Sequence, residues 1–454
     1  QNNEKLRDVC FDLKGNLRLA TRSLPDGGTE VLKKEADGFT KVLESTLEES
    51  LNPIRFHVDN KQVYIISNVG NPDHIGLYLY DMLTGVMTLV ESDPKGEVDL
   101  EDIRFSPSTE SLIATIYIAD KKRIYWKSQS HESDYLFLKS QFEDAEIDIT
   151  SSTKNEALWI IYVSSDKDPG SAYLFDRKSK ELKFLYKPRP NLSSDDLVAM
   201  KPVSFSSSDG LKIPAYLSLP NVELKESLPA VILVHGGPWA RDYWGYDPEA
   251  QMLANRGIAV LKVNFRGSPG FGQNFREAGY RQWGQNIQHD IIDGVKLLIN
   301  DGTVDKDNIC IMGASFGGYS ALQSAIIEPD MFKCAIGLMG VYDLPLMYEE
   351  GDTQASSYGV NYLKTVIGTD EAELKAFSPA YNVDKLKAPV LIVHGGEDER
   401  APIEQAESLE AALKKAKHPY EITILDDEGH GFYKEEHRTL YYKKVLAFLD
   451  DHLK

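Results

Sequence analysis

The chain changes rhythm near its middle. Up to about residue 190 the apolar positions come in short alternating or β-rich runs, such as Gln62-Val63-Tyr64-Ile65-Ile66 and Leu112-Ile113-Ala114-Thr115-Ile116. Alternation of this kind turns one face of a strand inward, and Asp, Gly, Ser and Asn turns separate the runs. The pattern also repeats. Asp8-Val9-Cys10-Phe11 is echoed by Pro53-Ile54-Arg55-Phe56, by Asp102-Ile103-Arg104-Phe105 and by Glu146-Ile147-Asp148-Ile149. The starts lie about 45 residues apart, the spacing of four-stranded propeller blades. Leu77-Tyr78-Leu79-Tyr80-Asp81 returns as Ala172-Tyr173-Leu174-Phe175-Asp176 two periods later. Four such units predict an all-β propeller region, either a closed ring of four blades or part of a larger ring.

The repeat stops at the Pro-rich stretch Lys187-Pro188-Arg189-Pro190-Asn191. This is the expected domain boundary, giving a β-propeller over 1–190 and a second domain over 191–454. The second domain opens with a hairpin pattern, Pro202 to Phe205 and Ile213 to Leu217 around Ser208-Asp209-Gly210. After Pro229 apolar strands alternate with helical patterns. The strands are expected at Ala230–His235, Ile258–Asn264, Ile309–Gly313, Ala335–Met339, Val390–His394 and Glu421–Leu425. Helices are expected at Ile287–Asn300 and Ile403–Lys415. Such alternation predicts a largely parallel sheet covered on both faces, an α/β domain.

Composition narrows the picture only a little. A chain of 454 residues is long for one core, which agrees with two domains. The net charge of −20 argues against nucleic acid and anionic membranes as partners, because both attract cationic surfaces. No apolar run reaches the roughly 18 to 20 residues of a membrane-spanning helix. The three cysteines, Cys10, Cys310 and Cys334, form neither a disulfide framework nor a zinc-spaced cluster. Cys310 and Cys334 each begin an apolar run and read as buried free thiols, with a bridge between them as the alternative if their strands are neighbours. The first residue is Gln1 rather than Met, so a leader could have been lost upstream. The compartment, cytoplasmic or periplasmic/secreted, stays open.

The chemistry concentrates in the second domain. Gly313-Ala314-Ser315-Phe316-Gly317-Gly318 fits Gly-x-Ser-x-Gly between an apolar strand and an Ala-rich helical run. There the glycines permit a tight turn that lifts the serine hydroxyl into the open at a helix N-terminus. A serine hydroxyl needs a base, and the base an orienting carboxylate. In this fold they follow in the order Ser, acid, His. Asp398 is expected at the C-terminal edge of the strand Val390–His394, with Glu397 as a rival orienter and Asp426 and Asp427 as weaker ones. His430 stands between two glycines after the strand Glu421–Leu425. His394 reads as structural, and His418 and His437 as solvated. His235-Gly236-Gly237-Pro238 ends the first parallel strand. An early Gly-rich loop and the residue after the nucleophile supply oxyanion N–H groups, here Gly237 and Phe316. His235 itself is expected to brace the loop.

Together these stretches, with Val263-Asn264-Phe265-Arg266-Gly267-Ser268, Gly340-Val341-Tyr342-Asp343, Ser378-Pro379 and Asp398-Glu399-Arg400, resemble the prolyl oligopeptidase family of serine peptidases. The acylaminoacyl-peptidase and dipeptidyl-peptidase-like branch fits best. The resemblance covers residues from about 200 to 454. It implies an α/β-hydrolase catalytic domain preceded by a propeller of seven or eight blades, so the four units here are expected to be a partial propeller with its other blades upstream of Gln1. It implies a triad of Ser315, Asp398 and His430, and no metal or organic cofactor. It also implies that Arg400 reaches a backbone carbonyl of the bound peptide, with a surface salt bridge as the plainer reading. Tyr342 and the segment from Tyr358 to Leu363 would then line the pocket for the residue before the scissile bond, and Trp239 the same cleft.

The expected function is hydrolysis of short peptides by acyl transfer, releasing acylated residues or dipeptides or cutting internally. A carboxylesterase using the same triad is the alternative, and a propeller-based binding protein without catalysis a remote one. Short peptides are the expected partners, and homo-oligomer formation is left open.

Overall fold

The computed structural model describes residues 2–70, 72–221 and 227–453. They separate into two compact units, one of residues 1–194 with 270–274 and one of residues 195–269 with 275–454. The break falls beside the Pro-rich stretch. The short excursion 270–274 carried no sequence signal.

Among the described residues the N-terminal unit holds four antiparallel sheets, each built from strands consecutive in sequence. The sheets run over residues 8–45, 51–91, 100–126 and 146–186. The repeated motif falls on the first strand of each: Asp8–Phe11, Leu51–Phe56, Leu100–Phe105 and Glu146–Ser152. The second echo falls on third strands, Gly76–Asp81 and Asp168–Asp176. Alternation explains the burial. Val63 and Ile65 of one strand and Trp159, Ile161 and Val163 of another enter separate apolar clusters. One expectation needs correcting. The third sheet has three strands, and a helix, α1 (Gln129–Gln141), follows where a fourth strand was expected. Its apolar residues Tyr135, Leu136, Phe137 and Leu138 are contiguous, so no helical period advertised it. Leu138 is nevertheless buried in the cluster around Trp159, with Tyr135 and Phe137 packed against it, and polar contacts add to this. Buried His131 bonds Glu156 at 2.8 Å, and Asp134 receives Arg177 Nε at 2.6 Å.

The second unit carries an eight-stranded sheet among the described residues. Its strands are β1 (Met200–Ser206), β2 (Lys212–Ser218), β3 (Leu228–Val234), β4 (Ala259–Val263), β5 (Val304–Ala314), β6 (Cys334–Leu338), β7 (Val390–Gly395) and β8 (Tyr420–Leu425). The spatial order is β1-β2-β4-β3-β5-β6-β7-β8. The β1–β2 hairpin is antiparallel and joins β4 antiparallel, and from β4 onward every pairing is parallel. This is an α/β-hydrolase sheet with β4 and β3 crossed over. The inner strands β4, β6 and β7 are buried at every position, as expected for a sheet covered on both faces. The helices that matter for the site are α2 (Pro248–Ala254), α3 (Asn286–Asn300), α4 (Phe316–Ile327), α5 (Ile403–Ala416) and α6 (Glu435–His452).

Strand register decides the cysteines. Cys310 and Cys334 sit opposite each other on β5 and β6, with Cα atoms 4.8 Å apart, and they are joined as a disulfide. The reading of both as free thiols is therefore wrong. Cys10 is free and buried.

Candidate active site

Ser315 stands where β5 turns into α4, with φ 58° and ψ −123°. A left-handed φ on a residue with a Cβ costs about 1–3 kcal/mol and persists only where the surroundings enforce it. Here the neighbouring glycines do so. A Cβ on Gly313 would strike Gly317, and one on Gly317 would strike the Val234 carbonyl. The Ser315 N–H donates to the Leu338 carbonyl at 2.9 Å, which fixes the turn against β6.

The hydroxyl meets an imidazole. Ser315 Oγ lies 3.0 Å from His430 Nε2, and His430 Nδ1 lies 2.7 Å from Asp398 Oδ2. Asp398 is nearly inaccessible, at 5% exposure, so its charge must be satisfied internally. Its second oxygen accepts the Arg400 and Ala401 N–H groups, both at 2.9 Å. The adjacent Glu397 is exposed and is not the partner of His430. The three elements that carry these side chains are far apart in sequence, and β5, β7 and β8 bring their carboxyl ends to one edge of the sheet.

A second loop leans on Ser315 from β3. A Cβ on Gly236 would lie 3.4 Å from Ser315 Cβ, and Gly237 has φ +118°. His235 holds this loop. Its Nδ1 donates to the Gly236 carbonyl at 2.8 Å, its Nε2 lies 3.2 Å from Ser268 Oγ, and its ring stacks on Phe265 at 4.2 Å. Burial lowers its pKa, so the ring stays neutral and acts as a brace. Phe316 opens α4, so its N–H belongs to the first turn, whose donors have no partner within the helix. The Phe316 ring itself is buried against Phe265, Trp283 and Tyr319.

Against known proteins, residues 244–454 match the family described as the prolyl oligopeptidase family. The chain is 30% identical over 467 residues to the dipeptidyl aminopeptidase BIII of Pseudoxanthomonas mexicana, covering 99% of this chain and 67% of that protein. The chain belongs to the prolyl oligopeptidase family. It is a serine-type peptidase, a hydrolase, by that membership. It is also 27% identical over 492 residues to a Caenorhabditis elegans protein named dipeptidyl peptidase family member 6, covering 98% of this chain and 65% of that one. Among solved structures it is similar in fold to a puromycin-hydrolyzing peptidase of Mycobacterium tuberculosis, with a TM-score of 0.81 and 23% identity over 99% of this chain and 70% of that one. The chain thus spans about two thirds of the length of these relatives.

The other expected substrate contacts of this prolyl oligopeptidase-family chain fare differently. Tyr342 is fully buried, and its hydroxyl is turned toward Gly337 and Gly340. It packs the core beneath the sheet edge and offers no surface to a substrate, contrary to expectation. Trp239 is half-buried. Its ring meets Tyr280 at 5.0 Å and Tyr362 at 6.3 Å, and rests on Gly267, where a Cβ would come within 2.8 Å. Burial, with Tyr280 and Tyr358 nearby, raises the pKa of Tyr362, so this aromatic group stays neutral. Arg400 is exposed and its Nε pairs with Asp352 at 2.6 Å.

Sequence reading missed several supports. Glu428, 3% exposed, accepts the Tyr433 N–H at 3.1 Å, the Lys434 N–H at 2.9 Å and His437 Nδ1 at 2.9 Å, so it pins the turn that carries His430. His437 is accordingly a brace and not a solvated side chain. Gln405 accepts the Tyr342 and Asp343 N–H groups at 2.8 and 2.7 Å and ties α5 to the turn after β6. Arg266 binds Asp290 and Asp209, each through two N–H groups. A pair such as Glu428 and His437, nine residues apart, has no period to betray it.

Proposed function

We propose that Ser315, His430 and Asp398 form a catalytic triad that hydrolyses short peptides through an acyl-enzyme, with release of N-terminal dipeptides as the favoured mode. The observation that supports it most directly is the continuous hydrogen-bonded line from Ser315 Oγ through His430 to Asp398, at 3.0 and 2.7 Å. In the first step Ser315 Oγ attacks the scissile carbonyl carbon while His430 Nε2 takes its proton. The carbonyl π electrons move onto oxygen, and the N–H groups of Gly237 and Phe316 receive that oxyanion. His430 then returns the proton to the leaving amine as the C–N bond breaks. Water repeats the sequence to release the acid and restore Ser315. Asp398 keeps the imidazole in the required tautomer and stabilises the imidazolium. Every proton transfer passes through His430, and water is consumed in the second half of the cycle.

The preference for dipeptide release follows from the relative in Pseudoxanthomonas mexicana, a dipeptidyl aminopeptidase by name. The half-buried aromatic group Trp239, Tyr280 and Tyr362 supplies an apolar wall for the residue before the scissile bond. Arg400, two residues beyond Asp398, presents a fixed cationic fork that suits a backbone carbonyl. We read the four N-terminal sheets as propeller blades, on the period of the repeat and the fold of the relatives.

Labelling with a fluorophosphonate followed by mass spectrometry tests the triad. Modification of Ser315 in native but not heat-denatured protein is expected. Ser315→Ala should lose turnover on the order of 10⁶-fold, and near-normal hydrolysis by that variant would overturn the assignment. A panel of free-N-terminus dipeptide anilides and their acetylated counterparts tests the mode, with cleavage confined to the acetylated set refuting dipeptide release.

A further inference from the structure

Lysine in the middle of a fully buried central strand is unusual, because its ammonium must find counter-charges inside the protein. Lys262 lies on β4, where every residue is buried, and is itself 7% exposed. Its Nζ bridges two carboxylates: Asp242 Oδ1 at 2.9 Å, and Asp247 Oδ2 in a closer contact. Burial alone would lower the lysine pKa, but the two carboxylates outweigh it and raise it. Lys262 is therefore charged in the folded chain.

Each carboxylate anchors a different piece of backbone. Asp247 caps α2, its Oδ1 accepting the Glu249 and Ala250 N–H groups at 2.9 Å. Asp242 lies partway along the loop that runs from His235 to Asp247. Its main chain is clamped by Asn264, whose side chain accepts the Asp242 N–H at 2.7 Å and donates to the Asp242 carbonyl at 3.0 Å. Lys262 and Asn264 are two residues apart on and just beyond β4, so the strand grips Asp242 by side chain and by backbone together. The three charged residues line a cavity of about 160 Å³ whose other walls include His235, Gly236, Gly313 and Ala314. Those are the residues immediately before Gly237 and Ser315.

We propose that Lys262, through Asp242 and Asp247, is a positioning residue that holds the Gly236-Gly237 loop at the distance from Ser315 needed to receive the oxyanion. This rests on the triad and oxyanion roles proposed above. A loop of glycines has little stiffness of its own, and a displacement well under 1 Å weakens a preorganised oxyanion donor more than it weakens binding of the uncharged substrate. The brace should therefore act on the transition state and leave ground-state binding nearly unchanged.

The test compares Lys262→Met with the double variant Lys262→Met/Asp242→Asn, which removes charges in a pair and keeps the volumes similar. Both are measured beside wild type on a peptide anilide. The expected result is a fall in kcat of at least tenfold with KM within about twofold. The affinity of a peptide boronate, which presents a tetrahedral oxyanion, should fall by a similar factor, while that of the product dipeptide stays unchanged. A folded double variant with wild-type kcat and boronate affinity, or one that changes KM alone, would overturn the brace. Should Lys262→Met fail to fold, the double variant decides. Wild-type protein that takes no fluorophosphonate at Ser315 would instead remove the triad reading, and the brace with it.

Discussion

At the scale of single residues, the site is built from groups whose charges are set by burial and partners. Asp398 accepts three hydrogen bonds, one of them from His430. Asp398→Asn keeps the shape but leaves an amide facing Nδ1, which favours the wrong tautomer, so kcat should fall on the order of 10⁴. Retention of more than a tenth of wild-type kcat would show that Asp398 does not orient the base. Four residues earlier, His394 is wholly buried and donates through Nε2 to the Ala401 carbonyl at 2.7 Å. Burial lowers its pKa. His235 shifts the same way for the same reason. Both rings are neutral in the folded chain, while the unfolded chain protonates them near an ordinary value of about 6.5. The unfolded state then binds more protons below that pH, so stability present above about pH 6.5 is lost as the pH falls toward the lowered folded values. Melting temperatures between pH 8 and pH 5 should show this decline, and His394→Asn should flatten it. A wild-type profile that is level over this range would contradict the burial argument.

The residues the sequence exposed most plainly were those whose chemistry demands a local pattern. Ser315 needs glycines on both sides, and His430 sits between two more, so both announce themselves. Tyr342 misled because a motif position tells where a residue lies along the chain and not which way its side chain turns. Gly337 and Gly340 open a space in the core that its ring fills. Lys262, Glu428 and Gln405 were invisible for the opposite reason. The partners of Lys262 and Gln405 come from other segments of the chain and those of Glu428 from five to nine residues further on, and no periodicity marks any of these contacts.

Among elements, apolar period carried the reading well wherever an element is buried on both faces. The expected strand Val390–His394 is observed as Val390–Gly395, and the expected helix Ile287–Asn300 as Asn286–Asn300. Helix α1 shows the limit, since the apolar residues it buries, Tyr135, Phe137 and Leu138, are nearly contiguous in sequence and give no helical period. The β5–β6 disulfide shows another limit, for it depends on a register that only the assembled sheet reveals. The turn between β8 and α6 is the element that carries His430, and Glu428 supports it through three hydrogen bonds. Glu428→Ala frees two backbone N–H groups and His437, which should lower stability and lower kcat about tenfold through a looser His430. Glu428→Gln, which keeps an acceptor, should recover part of both. Denaturant unfolding and steady-state kinetics check the pair, and an unchanged kcat in a destabilised Glu428→Ala would confine its role to stability.

For the whole molecule, the separation into two units has a thermodynamic consequence. Apolar clusters around Val63 and Trp159 belong to residues of the first unit, and the cluster around Leu391 and Met312 to the second. Two cores of this kind need not melt as one, so calorimetry should give a transition whose measured enthalpy exceeds the van't Hoff value. Ser315, His430 and the Gly236-Gly237 loop all belong to the second unit, so a phosphonate on Ser315 engages the folded form of that unit. Binding to a folded state raises its apparent stability. Covalent labelling should therefore move the component of the melt that belongs to the second unit upward and leave the other in place, with hydrogen exchange at β5 and at the 146–186 sheet assigning the two components. The net charge of −20 adds a control, because salt screens self-repulsion throughout the chain and should raise both components together. A single transition with matching enthalpies, shifted as a whole by the label, would mean that the two cores unfold as one cooperative body.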